Sequence, residues 1–78
     1  MTSLLQTVGQ ERVALRTAAW LKELRRQLGL SQKKLGEAAR VHRNTVSSWE
    51  RAKSVPTLSQ VEDIKLFEKN LRRAKGLR

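Results

Sequence analysis

Apolar residues recur along this chain three or four positions apart, the spacing of amphipathic helices, with polar residues between them. Val13, Thr17, Leu21, Leu24 and Leu28 share one face of a first helix. Thr7 and Gln10 have the spacing of a capping box, so that helix should begin near one of them, and Gly29 follows it as a left-handed cap. Trp20 lies beside the stripe, either at the edge of the core or in a subunit contact. Ser31 can cap a short helix from Gln32 to Ala39 that turns Leu35, Ala38 and Ala39 inward and Lys33, Lys34 and Glu37 outward. A tight turn leads to a second short helix, Arg43 to Arg51, which buries Val46 and Trp49 while Val41 packs in from the turn. Its other face carries Arg43, Asn44, Ser47, Ser48 and Arg51. Pro56 stops any helical continuation and biases Val55 to an extended form. Thr57 and Gln60 again have capping-box spacing and open a fourth helix, Leu58 to Asn70, with Val61, Ile64, Phe67 and Leu71 at core spacing and Leu66 off the stripe.

The stretch from Ser31 to Arg51 resembles the helix-turn-helix of the phage-repressor/Cro and xenobiotic-response-element class of regulators. Ser31-Gln32, Leu35, Gly36, Ala39, Val41, Val46 and Trp49-Glu50-Arg51 carry the match, with Leu21, Leu24, Arg25 and Gly29-Leu30 ahead and Pro56-Thr57-Leu58 behind. The resemblance implies an all-α, compact four- to five-helix, lambda-repressor-like DNA-binding domain. The resemblance covers about Leu21 to Leu71; with the spacing and charge of the two ends, the chain divides into an N-terminal arm (1–9), a helix-turn-helix DNA-binding domain (10–71, motif 31–51) and a basic C-terminal tail (72–78). The resemblance also implies an ion pair between Arg25 and Glu50 that holds the recognition helix against the first helix. Two positions depart from the pattern. Arg40 stands where such turns usually have Gly, at a cost of about 1 kcal/mol for a left-handed residue. His42 replaces the usual Ser or Thr cap, which should leave the entry to the second short helix less rigid.

Charge sharpens the picture. A formal net charge of +10 on 78 residues calls for a polyanionic partner, with nucleic acid ahead of an anionic membrane. Residues 1–9 carry no charge, 10–30 carry +3, 31–55 carry +4, 57–67 carry −1 and 68–78 carry +4. The fourth helix, the acidic interval, should therefore point away from DNA. The basic tail is either a solvated end or an extension toward phosphate. The arm, with Leu4, Leu5 and Val8, is either a frayed end or a segment packing on the core or on a second subunit.

Enzymatic chemistry is not expected. His42 is the only histidine, cysteine is absent, and Glu62 and Asp63 are adjacent and so point to different sides of a helix. The four glycines are scattered rather than gathered in a phosphate loop, no ligand cluster suggests a metal, and no cofactor is implied. The longest apolar run, Ala18-Ala19-Trp20-Leu21, is too short to span a membrane. The expectation is a cytoplasmic, nucleoid-associated protein.

On double-stranded DNA the recognition helix would enter the major groove by its N-terminal part, with the preceding helix across the backbone. Arg43 can donate twice to guanine and Asn44 can bond adenine in bidentate fashion. Ser47 and Ser48 follow on the same face, where the resemblance also implies base contacts. Ser31, Gln32, Lys33, His42, Arg51 and Lys53 are the candidates for phosphate contact. A single such domain makes few base contacts, so a homodimer on a pseudo-palindromic operator is expected, formed in solution or only on DNA. Leu66, Leu71 and Leu77 are its candidate contacts. A repressor of phage or mobile-element type is the leading reading. The competing one is an antitoxin that binds a toxin and represses its own operon; a toxin or anti-repressor would need an apolar face, for which Leu4, Leu5, Val8 and Leu66 are available.

Overall fold

Leu21, Leu24 and Leu28 lie on one side of a helix, and the remaining helices assemble against them. The computed structural model describes the backbone of residues 4–76 and the side chains of residues 11–76. Within that span α1 is Leu4–Leu28, α2 Gln32–Ala39, α3 Arg43–Glu50 and α4 Leu58–Ala74, an all-α arrangement. Leu77 and the side chains of Leu4, Leu5 and Val8 lie outside the described residues.

Packing is led by α2 against α3, with α3 also on α1 and α4 on α2. Leu35 and Ala39 from α2, Val46 and Trp49 from α3 and Ile64 from α4 close around the three leucines of α1. Trp20, Leu30, Val41 and Leu71 are half-buried against this centre. Burying one such aliphatic or aromatic side chain contributes roughly 1.5–3 kcal/mol. With so few of them, each matters to a domain of this size.

Two helices run further than the apolar spacing implied. The backbone of α1 is already helical at Leu4, upstream of both Thr7 and Gln10, and Gly9 lies inside it. An interior glycine costs about 1 kcal/mol relative to alanine, too little to break a helix of 25 residues. Val13, assigned by spacing to the inward face, is more than half exposed. On that side of the helix Ala14 and Thr17 are half-buried, and full burial begins at Ala18. At the other end, α4 continues past Asn70 to Ala74. Arg72 donates to Glu68 at 2.9 Å and to Gln27 of α1 at 2.7 Å. Lys75 donates to the Leu28 carbonyl at 2.9 Å, which also brings a cation to the negative end of the α1 dipole.

Side chains begin the three later helices. The Ser31 hydroxyl accepts from the Lys34 amide at 3.0 Å. Thr57 and Gln60 form the reciprocal box, at 3.1 and 2.8 Å. His42 also caps: its Nδ1 accepts from the Asn44 amide at 3.1 Å. A ring nitrogen can therefore do at α3 what the hydroxyls do at α2 and α4.

The ends of α1, α2 and α3 share one device. Leu30 donates to the Arg25 carbonyl, Val41 to Gly36 and Lys53 to Ser48, each at 2.9 Å. That six-to-one bond needs a left-handed residue just before the donor. Gly29, Arg40 and Ala52 fill the position, with φ of 66°, 61° and 58°. Only the first is spared the clash of a Cβ. The turn after α2 is also tight in space: a Cβ on Gly36 would stand 2.7 Å from the Val41 carbonyl oxygen.

Arg40→Gly and Ala52→Gly should each stabilise the domain by about 0.5–1 kcal/mol, the relief of left-handed strain exceeding the extra unfolded-state entropy of glycine. Thermal unfolding followed by circular dichroism should register this as a rise of roughly 2–8 °C per substitution. An unchanged midpoint at both positions would mean that neither turn is strained.

Candidate nucleic-acid interface

The two sides of α3 have opposite assignments. Val46 and Trp49, at 0% and 2% exposure, fix one side to the core. On the other, Arg43 and Asn44 are exposed and Ser47 and Ser48 half-buried, all on a common arc of the helix. Arg51 and Lys53 follow, exposed, beyond its C-terminus, and Lys33 is exposed near the start of α2. Lys33, Arg43, Arg51 and Lys53 make no ion pair among the described residues. This is a cationic, hydrogen-bonding surface with its charges unspent.

Some of the other candidates are partly committed within the protein. The Ser31 oxygen is used in its cap, leaving the hydroxyl proton free to donate. His42 uses Nδ1 as an acceptor, so its neutral ring carries the proton on Nε2 and can donate from there. Gln32 is half-buried, and its amide nitrogen donates to Glu50 at 3.1 Å. Of the residues considered for dimer contact, Leu66 is 58% exposed, whereas Leu71 packs against the core and Leu77 is outside the described residues. Trp20 is half-buried and lines a shallow groove with Arg16, Thr17, Val61 and Lys65.

Arg25 and Glu50 are brought together. The guanidinium donates from Nε to Glu50 Oε2 at 2.6 Å and from Nη2 to Oε1 at 2.9 Å. Its Nη1 donates to the Leu30 carbonyl at 3.1 Å. Glu50 is only 7% exposed. Burial by itself would push its carboxyl up, but hydrogen bonds from Arg25 and Gln32, with the charges of Arg25 and Lys22, hold it below the ordinary carboxylate range. Hydrogen bonding to the same carboxylate raises Arg25.

Two features escaped the sequence reading. One is the bond from Gln32 to Glu50, which joins α2 to a pair otherwise made by α1 and α3. The other is an open cleft of about 450 Å3, lined by Lys33, Glu37, Val41, His42 and Arg43. Nothing in the spacing of those five residues announces it, since the turn between α2 and α3 brings them together.

A family model described as helix-turn-helix matches residues 21–64, more than half of the chain. No curated protein and no solved structure matches it. No described helix is long and apolar enough to cross a membrane, and the described residues contain no group of acidic and histidine side chains that could hold a metal ion.

A carboxyl group whose folded-state pKa is depressed adds stability above its unfolded value and loses that contribution as pH falls through the folded value. Glu50→Gln should accordingly be less stable than wild type at pH 7, and the gap should narrow below the ordinary glutamate value of about 4.3. Glu50→Ala, which leaves Arg25 unmet, should cost about 3 kcal/mol at pH 7. Urea unfolding between pH 7 and pH 3 measures both; a gap that does not change with pH would reduce Glu50 to a packing residue.

Proposed function

The chain belongs to the helix-turn-helix family of the xenobiotic-response-element class, DNA-binding regulators of transcription, and from that premise we propose a sequence-specific repressor that acts as a dimer on a pseudo-palindromic operator. The observation that carries this reading is the outward face of α3, where Arg43 and Asn44 are exposed and Arg43 has no ionic partner among the described residues. With α3 entering the major groove by its N-terminus, Arg43 donates twice to O6 and N7 of guanine and Asn44 bonds adenine. Ser47 and Ser48 supplement them further along the groove. Ser31, Gln32, Lys33, His42, Arg51 and Lys53 take the flanking phosphates and set the register.

Four reading side chains cover too few base pairs for a specific operator, and a two-fold pair of domains doubles them. Leu66, exposed on α4, is the residue we assign to the contact between subunits. Repression then needs nothing beyond occupancy, since a protein seated in the major groove excludes others from the same base pairs.

Titration of the full chain against a duplex selected from a random pool, and against an unselected duplex, at two salt concentrations, tests the reading. Wild type should prefer the selected duplex, and Arg43→Ala should lose roughly 1–3 kcal/mol of discrimination at one base pair per half-site. Lys53→Ala should weaken every duplex alike and lower the salt slope by about one. Equal wild-type affinity for both duplexes would sink sequence-specific recognition. No binding to either at low salt would sink DNA binding altogether.

A further inference from the structure

Glu37 sits where a carboxylate is least expected. It is the one exposed acidic side chain of the helix-turn-helix, since Glu50 is buried. It does not face open solvent alone but lines the cleft shared by Lys33, Val41, His42 and Arg43, beside the N-terminal end of α3. Among the described residues its only ionic contact is with Lys34 at 3.6 Å, both side chains being more than half exposed. A pair of that kind restrains a side chain weakly.

We propose that Glu37 reads a base: its carboxylate accepts a hydrogen bond from the exocyclic amine of cytosine or adenine in the major groove. The proposal rests on the assignment of α3 as the groove helix. Its chemistry is selective because only those two bases present an amine there, whereas guanine offers N7 and O6 and thymine offers O4, acceptors that repel a carboxylate. Arg43 in the same cleft has the reverse preference and donates to guanine. A cation and an anion side by side therefore suit the two edges of one G·C pair, or adjacent pairs, with opposite sign. Val41 gives the cleft an apolar wall against which the unsubstituted carbon edge of a pyrimidine can rest. Every base pair carries one such amine, so selectivity lies in which strand presents it: where the base within reach is guanine or thymine, Glu37 meets acceptors and penalises the site.

Selection from a randomised duplex pool with the full chain, wild type and Glu37→Ala, tests this. The affinity of each for the selected duplex, for its single-base-pair variants and for a random duplex completes the experiment. Wild type should enrich cytosine or adenine at one position per half-site, and which base is enriched identifies the amine. Replacing that base by guanine or thymine should weaken wild type roughly 5- to 150-fold. Glu37→Ala should lose the preference at that position alone, keep the preference that depends on Arg43, and bind the random duplex more tightly than wild type. If Glu37→Ala instead shifts every duplex by one factor and leaves all preferences intact, Glu37 is an ordinary surface charge and the proposal fails while sequence-specific binding stands. If wild type itself selects nothing, the proposal falls together with the reading on which it rests.

Discussion

A carboxylate taken out of water must be met by donors, and that requirement governs how the helices of this protein are set against one another. Glu50, the last residue of α3, is met by Arg25 from α1 and Gln32 from α2. Arg25 in turn holds the carbonyl of Leu30 in the connection between α1 and α2. Burial of Val46 and Trp49 decides which side of α3 faces the core, but apolar contacts are non-directional and leave its tilt and register less sharply defined. Hydrogen bonds are directional. Replacing a buried ion pair by apolar side chains is often neutral or even stabilising, so the value of this node lies in orientation more than in stability. It ties the C-terminal end of α3 to both α1 and α2, while Val46 and Trp49 turn Arg43 and Asn44 outward.

The same group ties function to fold at close range. Gln32 opens α2 beside the Ser31 cap, at the end where backbone amides and the helix dipole favour an anion. Its bond to Glu50 holds the Gln32 side chain in place at that end. Less rotamer entropy then remains to be lost on binding. Around this node the domain tolerates departures from ideal geometry. Two of its helices end in left-handed turns without glycine, and α1 carries a glycine inside it.

Much of this was legible in the sequence. The short helices and the start of α4 follow from local chemistry: Ser31, Pro56, Thr57 and Gln60 act within one turn of themselves, and Leu35, Val46 and Trp49 declare their faces by spacing. What was missed depends on distance. The extension of α4 to Ala74 is supported by Arg72 on Gln27 and Lys75 on Leu28, partners more than forty positions away. The start of α1 was misjudged because a capping-box spacing at Thr7 is only a local preference, and helix propagation overrides it. Val13 was assigned inward by periodicity, which finds the stripe on a helix but not how far other helices cover it. In the candidate interface, the polar arc of α3 could be read residue by residue. The association of Arg25 with Glu50 came only from family resemblance, since periodicity gives no reason to join residues 25 apart. The place of Glu37 in a cleft required the fold, for a glutamate between two alanines and a glycine reads as surface.

The close approach at Gly36 bears on how such a protein meets an imperfect site. Because α2 touches the backbone of the following turn with no side chain between, the crossing helix and the recognition helix have no soft layer to shear along. A domain built this way cannot re-aim one helix to suit a shifted phosphate without losing the seat of the other. If the protein docks as proposed, adaptation would come from the duplex, through its bend, twist and groove width, and the elastic cost of deforming each sequence would enter the affinity.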